Sequence, residues 1–145
     1  MTDYQQDKLF STIIEDEGCK RYAYEDSLGY LTIGIGRCID EKKKGGLSMD
    51  EVMYLFNNDI KRCKDSMSKY PWWNKLDDVR QGVLIELCFN IGASGVDGFK
   101  KMLAAIADAN YMVAGVELVD SKWSTQVQPS RVESMKFRLQ YGRYQ

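Results

Sequence analysis

The chain has 145 residues, 44% of them hydrophobic and 12% aromatic, with a formal net charge of −1 and no histidine. That length bounds it to one domain, or one domain in two lobes, and the composition suffices to fill a core, which excludes a disordered chain. The missing imidazole excludes Ser/His/Asp and Cys/His nucleophile systems and His-ligated zinc.

The first residues, MTDYQQDKLF, are polar and acidic. They lack the apolar h-region of a signal peptide, and no stretch nears the ~20 apolar residues of a membrane span. The expectation is a protein made and kept in the cytoplasm, without stable membrane association. Leu9, Phe10, Ile13 and Ile14 then fall at helical spacing from a start near Asp3, and Gly18 stops the pattern as a C-cap does. Strand-like pieces follow at Arg21–Tyr24 and Tyr30–Ile35, joined by the turn-rich Glu25-Asp26-Ser27-Leu28-Gly29. Lys42-Lys43-Lys44-Gly45-Gly46 reads as a polar loop, and Ser48 with Glu51 three positions on reads as a capping box.

From there to Gln145 the pattern is helical, with predicted helices near 49–69, 77–91, 97–107, 111–121 and 130–139, bounded by Pro71 and Pro129. The outline is an α+β, mostly helical chain: a small β-containing lobe at about 15–47, a long connecting helix, and a helical lobe at about 48–145 on which the N-terminal helix packs. There are no repeats and no low-complexity tracts.

Charge is uneven along this outline. Residues 1–60 hold 12 acidic against 7 basic residues, whereas residues 121–145 hold 5 basic residues against Glu133 alone. A basic end attracts a polyanionic polymer, although a solvated helix face carries the same pattern. No basic run interleaved with aromatics speaks for nucleic acid. Cys19, Cys38, Cys63 and Cys88 are widely spaced, with no C-x-x-C pair, so reduced, partly buried thiols are expected rather than zinc or a redox dithiol. No acidic loop has the EF-hand form, and no metal or organic cofactor is expected.

Glu17 lies four residues beyond Ile13 and three beyond Ile14, so it continues the apolar stripe of the first helix near that helix's C-terminus. Partial desolvation and the helix dipole there would raise its pKa, which suits a group that protonates a leaving oxygen near neutral pH. An ordinary exposed glutamate at a frayed end fits the same spacing. Asp26, beside Ser27 and Gly29, suits a base or charge stabiliser, and equally suits a plain turn former. Glu15, Asp16 and Glu25 compete for either role.

In Thr32-Ile33-Gly34-Ile35-Gly36, alternation places the isoleucines on one face and Thr32, Gly34 and Gly36 on the other. The second face offers one hydroxyl and two missing side chains, a floor on which an extended ligand lies against bare backbone. Position 39 is isoleucine and the context is a hairpin, so the dinucleotide G-x-G-x-x-G reading fails.

Glu17, Asp26 and Thr32, spaced E-x8-D-x5-T between "DEG" and "GYLTIGIGR", resemble the signature of phage-type lysozymes, glycoside hydrolase family 24. "GLSMDEVMYLFNNDI", "VRQGVLIELCFNIGASGVDGF" and "SKWSTQVQPSRV" resemble that family's connecting helix, central helix and turn, and late helix and loop. The resemblance implies a lysozyme-like two-lobed fold and a muramidase acting on the N-acetylmuramic acid–N-acetylglucosamine bond of peptidoglycan. Glu17 would be the general acid, Asp26 would orient and activate the attacking water, and Thr32 would help hold it. The family is taken to invert the anomeric centre. It further implies that Gly36 and Cys38 line the cleft, that Phe89 and Asn90 form its far wall, and that Arg131 pairs with the catalytic glutamate. A core aromatic is the plain alternative for Phe89.

Members of the T-even type carry a histidine where this chain has Arg37, partnered by an aspartate matching Asp59, so an Arg37–Asp59 ion pair is expected. The loop after Cys38 is shorter here. The resemblance also implies a monomeric phage endolysin, held in the host cytoplasm until a holin pore admits it to the wall. A lytic transglycosylase is the enzymatic alternative, and a non-catalytic peptidoglycan-binding module the alternative of another class.

Overall fold

The structure, a computed structural model, describes residues 1–145, which divide by their internal contacts into two units, Met1–Tyr54 and Leu55–Gln145. Six α-helices and one three-stranded antiparallel sheet make the chain α+β and mostly helical, as expected.

In the first unit, α1 spans Asp3–Glu17. Its N-cap Thr2 accepts from the Gln5 backbone, and the Gln5 side chain accepts from the Thr2 backbone in return, a capping box. The helix ends where Gly18 turns to φ +79° and donates its N–H to the Ile14 carbonyl. No residue of α1 is buried, and the Leu9/Phe10/Ile13/Ile14 stripe stays about half exposed.

The sheet follows in chain order: β1 (Lys20–Glu25), β2 (Leu31–Gly34) and β3 (Arg37–Cys38). Tyr24 pairs with Thr32 and Glu25 with Leu31, after an irregularity between Lys20 and Tyr24. On the other side Thr32 pairs with Cys38 and Ile33 with Arg37. The glycine-studded segment is therefore not one strand. Gly34 and Gly36 adopt φ +70° and +69°, and with Ile35 they form the turn between β2 and β3. L side chains rarely adopt that conformation. The glycines are needed for the reversal itself, and the pleated face predicted for Thr32, Gly34 and Gly36 is broken at Gly34.

Asp40 ties the end of this sheet together. Its Oδ2 accepts the Leu31 N–H at 3.0 Å and its Oδ1 the Lys42 N–H at 2.9 Å, while its carbonyl accepts from Lys43 and Gly45. The two amide donors hold its carboxyl below the usual carboxylate range, the Leu31 bond contributing most. The capping box at Ser48 starts α2 (Met49–Met67) as the sequence predicts: Glu51 Oε1 accepts the Ser48 N–H, and Ser48 Oγ accepts the Glu51 N–H.

The second unit carries the core. α3 (Asp78–Asp97), capped by Asp77, is interrupted at Gly92, whose φ of +79° leaves the helical region. α4 (Lys100–Ala107), α5 (Tyr111–Val119) and α6 (Pro129–Tyr141) complete it. Met67, Leu84, Leu87, Met102, Ile106, Leu118, Met135 and Leu139 are the largest side chains sealed inside. Arg80 fastens the end of α6 from α3, donating to the carbonyls of Leu139 and Gln140 and lying over the Tyr111 ring.

Candidate active site

Glu17, the last residue of α1, is carried to the β2–β3 turn. A Cβ built on Gly36 would lie 2.5 Å from Glu17 Oε2 and 2.9 Å from its carboxyl carbon. The volume an ordinary residue would fill at position 36 is thus occupied by the carboxyl group. Beside it, a Cβ on Gly34 would meet nothing within 4 Å, so the turn is open at its other glycine. The bare backbone serves two ends: it reverses the chain, and it lets an acid side chain come up against the main chain. Glu17 is exposed, which corrects the expectation of a half-desolvated carboxyl.

Asp26 sits at the mouth of the β1–β2 turn. Its Oδ1 accepts the N–H groups of both Leu28 and Tyr30, each at 2.9 Å, while its backbone N–H and carbonyl bond Tyr30 and Gly29. One carboxylate oxygen thereby fixes the side chain, and Oδ2 is left without a protein donor. Thr32 is nearly sealed, at 4% exposure, and its hydroxyl donates to the Tyr30 carbonyl at 3.1 Å. Its cross-strand partner is Cys38, so those two candidates stand side by side on the sheet. Gly45 packs against Cys38 so closely that a Cβ there would lie 2.6 Å from the Cys38 carbonyl oxygen.

The charged groups nearby find partners other than those expected. Arg37 donates to Glu51 Oε2 at 2.5 Å, and Asp59 pairs with Arg62 three residues along α2, so the expected Arg37–Asp59 pair gives way to two others. Glu51 stands in the first turn of α2 with its carboxylate already oriented by the Ser48 cap, which leaves one oxygen for Arg37. The Arg37 guanidinium, helped by the Ser48 donors, holds Glu51 down to about 2.

The remaining candidates lie in the second unit. Asn90 accepts the Trp123 indole N–H at 2.8 Å, which pins Trp123 to α3. Phe89 is about half exposed and tilts against Phe56 with ring centroids 5.9 Å apart, so it stands outside the buried core. Arg131 donates to Glu86 Oε1 at 3.2 Å, and the buried Arg138 donates to Glu86 Oε2 at 2.8 Å. Glu86, which no local pattern singles out, therefore holds both guanidiniums. A cavity of about 630 Å³ opens beside Trp123 and Phe99, with Lys100, Lys122, Glu117 and Asp120 among its charged lining. No cluster of three metal-ligating side chains is present.

Chemically, the first unit offers an acid against open main chain, a second carboxylate fixed through one oxygen, and a threonine hydroxyl on the neighbouring strand. Comparison with known proteins bears on what that set does. The family model described as phage lysozyme matches residues 14–138. Over 138 residues the chain is 32% identical to the "Probable T4-type lysozyme 2" of Dictyostelium discoideum, covering 77% of this chain and 81% of that protein. It is 30% identical over 137 residues to the "Pre-baseplate central spike protein Gp5" of Enterobacteria phage T4, covering 77% of this chain and 24% of that one. Identity to the "SAR-endolysin" of Haemophilus phage HP1 is 26% over 112 residues, covering 76% of this chain and 60% of that protein.

Proposed function

This chain belongs to the phage lysozyme family, and from that premise we propose that it hydrolyses the β-1,4 bond between N-acetylmuramic acid and N-acetylglucosamine in peptidoglycan by acid/base catalysis. Glu17 is the general acid. It protonates the glycosidic oxygen as the bond to the anomeric carbon breaks. Asp26, turned by its two backbone donors, uses the free Oδ2 to orient and deprotonate the attacking water, and Thr32 helps hold that water. Attack from the face opposite the leaving group inverts the anomeric centre, an outcome that requires room for water between carboxyl groups roughly 6.5–9.5 Å apart. Gly36, Cys38, Phe89, Asn90 and Arg131 contact the glycan.

The observation that carries this reading is the carboxyl of Glu17 lodged where Gly36 has no side chain. Such a placement sets a proton donor beside bare backbone that can hydrogen-bond a sugar. We further read the chain, from its family likeness, as a monomeric phage endolysin that reaches the wall through a holin pore.

The decisive measurement is clearing of purified peptidoglycan. The expected outcome is new reducing ends and loss of turbidity by the unmodified protein, and neither by Glu17→Gln. Anhydro-muramyl products would mark a transglycosylase instead, and binding without turnover a carbohydrate-binding module.

A further inference from the structure

Tyr24 takes no part in the chemistry above, yet the sheet register carries it to the candidate site. It pairs across β1–β2 with Thr32, and Thr32 pairs across β2–β3 with Cys38. Direct partners in an antiparallel sheet project to the same face, with Cβ atoms about 4.5–5.5 Å apart. Tyr24, Thr32 and Cys38 therefore stand abreast across all three strands. Lys20, earlier on β1, pairs with Gly34. Its ammonium lies 4.4 Å from the Tyr24 ring centroid, so the two side chains stay on one side despite the irregularity between them. No carboxylate pairs with that ammonium, and the ring is its partner. The space beside this pair is open at one point: a Cβ on Gly34 would meet nothing within 4 Å, whereas Thr32 is sealed and the Tyr24 side chain half-buried. Gly34 is thus a bare floor, Thr32 lies next to it, and the Tyr24 ring forms one edge. A flat ring beside such a floor suits a pyranose, whose C–H face packs on the ring while its hydroxyls stay free for polar groups.

We propose that Tyr24 is a further substrate-contacting residue, an aromatic wall that packs on the sugar ring lying over Gly34 beside Thr32. The assignment rests on the glycosidase reading and adds an aromatic sugar contact within Met1–Tyr54. Lys20 covers one face of the ring, and the sugar takes the surface that Lys20 leaves free. Lys20 acts through Tyr24 and is a positioning residue: its ammonium holds the ring at the edge of the floor. Tyr24 meets the sugar before and during bond cleavage alike, so its loss weakens binding and leaves the chemical step unchanged, which raises KM at constant kcat. Tyr22, two residues earlier on the same strand, is 80% exposed and has no cross-strand partner, so it serves as an internal control.

The test follows release of reducing ends from soluble, uncrosslinked peptidoglycan strands over a range of concentrations. It compares the unmodified full chain with Tyr24→Leu, Tyr24→Phe, Lys20→Met and Tyr22→Leu. The expected result is a KM raised on the order of tenfold in Tyr24→Leu at unchanged kcat. Tyr24→Phe, which keeps the ring, and Tyr22→Leu stay near the unmodified protein, and Lys20→Met shows a smaller rise in KM. An unchanged KM in Tyr24→Leu would overturn the proposal, as would a loss confined to kcat or an equal rise in Tyr22→Leu. Should thermal unfolding show that Tyr24→Leu does not fold, Lys20→Met decides, and an unchanged KM there would overturn it. An unmodified protein that releases no reducing ends refutes the glycosidase reading itself. Turnover by the unmodified protein beside an unimpaired Tyr24→Leu refutes this assignment alone.

Discussion

Met1–Tyr54 and Leu55–Gln145 are built on different principles. Every buried hydrophobic residue lies between Cys63 and Leu139, in the second unit. The only buried side chains of the first are Thr32 and Asp40, both polar. The helical unit is held by excluded water and close packing. The sheet-bearing unit is held by carboxylates that gather backbone amides: Asp26 at one turn, Asp40 at another, Glu51 at the start of α2. The candidate catalytic carboxylates stand in the unit with the thinner packing, where a polar side chain near open backbone displaces no core.

This contrast makes function and stability separable by mutation. The largest effect expected is on turnover: Glu17→Gln and Asp26→Asn each lower peptidoglycan clearing by roughly 10²–10⁴-fold, with the Tm unchanged within a degree or two. Glu17 is exposed, and an asparagine at 26 retains an oxygen to accept the Leu28 and Tyr30 amides. Leu87→Ala reverses the pattern. Leu87 is fully buried, so its truncation costs about 2–5 kcal/mol, read as a Tm drop on the order of 10 °C. Clearing by the protein that remains folded is unaffected.

Gly36→Ala couples the two properties. The added methyl occupies the space of the Glu17 carboxyl at a backbone φ of +69°, so strain costs about 1–2 kcal/mol. Displacement of the acid lowers activity by on the order of 10²-fold. Turbidity assays and thermal unfolding on one preparation check both.

The smallest effect is acid sensitivity. Asp40 and Glu51 are held below the ordinary carboxylate range, Glu51 at about 2. In that range the unfolded chain binds more protons than the folded one. The stability these groups contribute is therefore fully present above roughly pH 4–5. It is lost as the pH falls through their folded values. Amide hydrogen exchange is expected to show residues 20–48 losing protection at a higher pH than the core of α3. Equal loss in both units would erase the contrast.

Much of this was legible in the sequence, and the failures share a cause. Local signals read correctly: the apolar spacing of α1 and its stop at Gly18, the Ser48–Glu51 box, and the helical run after it all depend on residues within one or two turns. Thr-Ile-Gly-Ile-Gly was misleading because alternation describes side chains and is silent on φ, and two left-handed glycines convert an apparent strand into a turn. β3, two residues long, is too short to carry a period. Non-local partners were invisible. Glu86 meets Arg131 and Arg138 across 45 and 52 positions, and Asp40 gives no hint that it closes onto Leu31. For the candidate site, the carboxylates were named from their spacing and resemblance, whereas the lodging of Glu17 against Gly36 exists only in three dimensions.

The Glu86 cluster has one more consequence. Two guanidiniums share a single carboxylate, so the group retains a surplus of one positive unit, and Arg131 carries it to solvent at 34% exposure. Such a residual cation projects a field over about 8 Å at physiological ionic strength. A wall polymer studded with carboxylates would feel that pull before any contact forms, and added salt would slow its capture while leaving the chemistry of the bound strand alone.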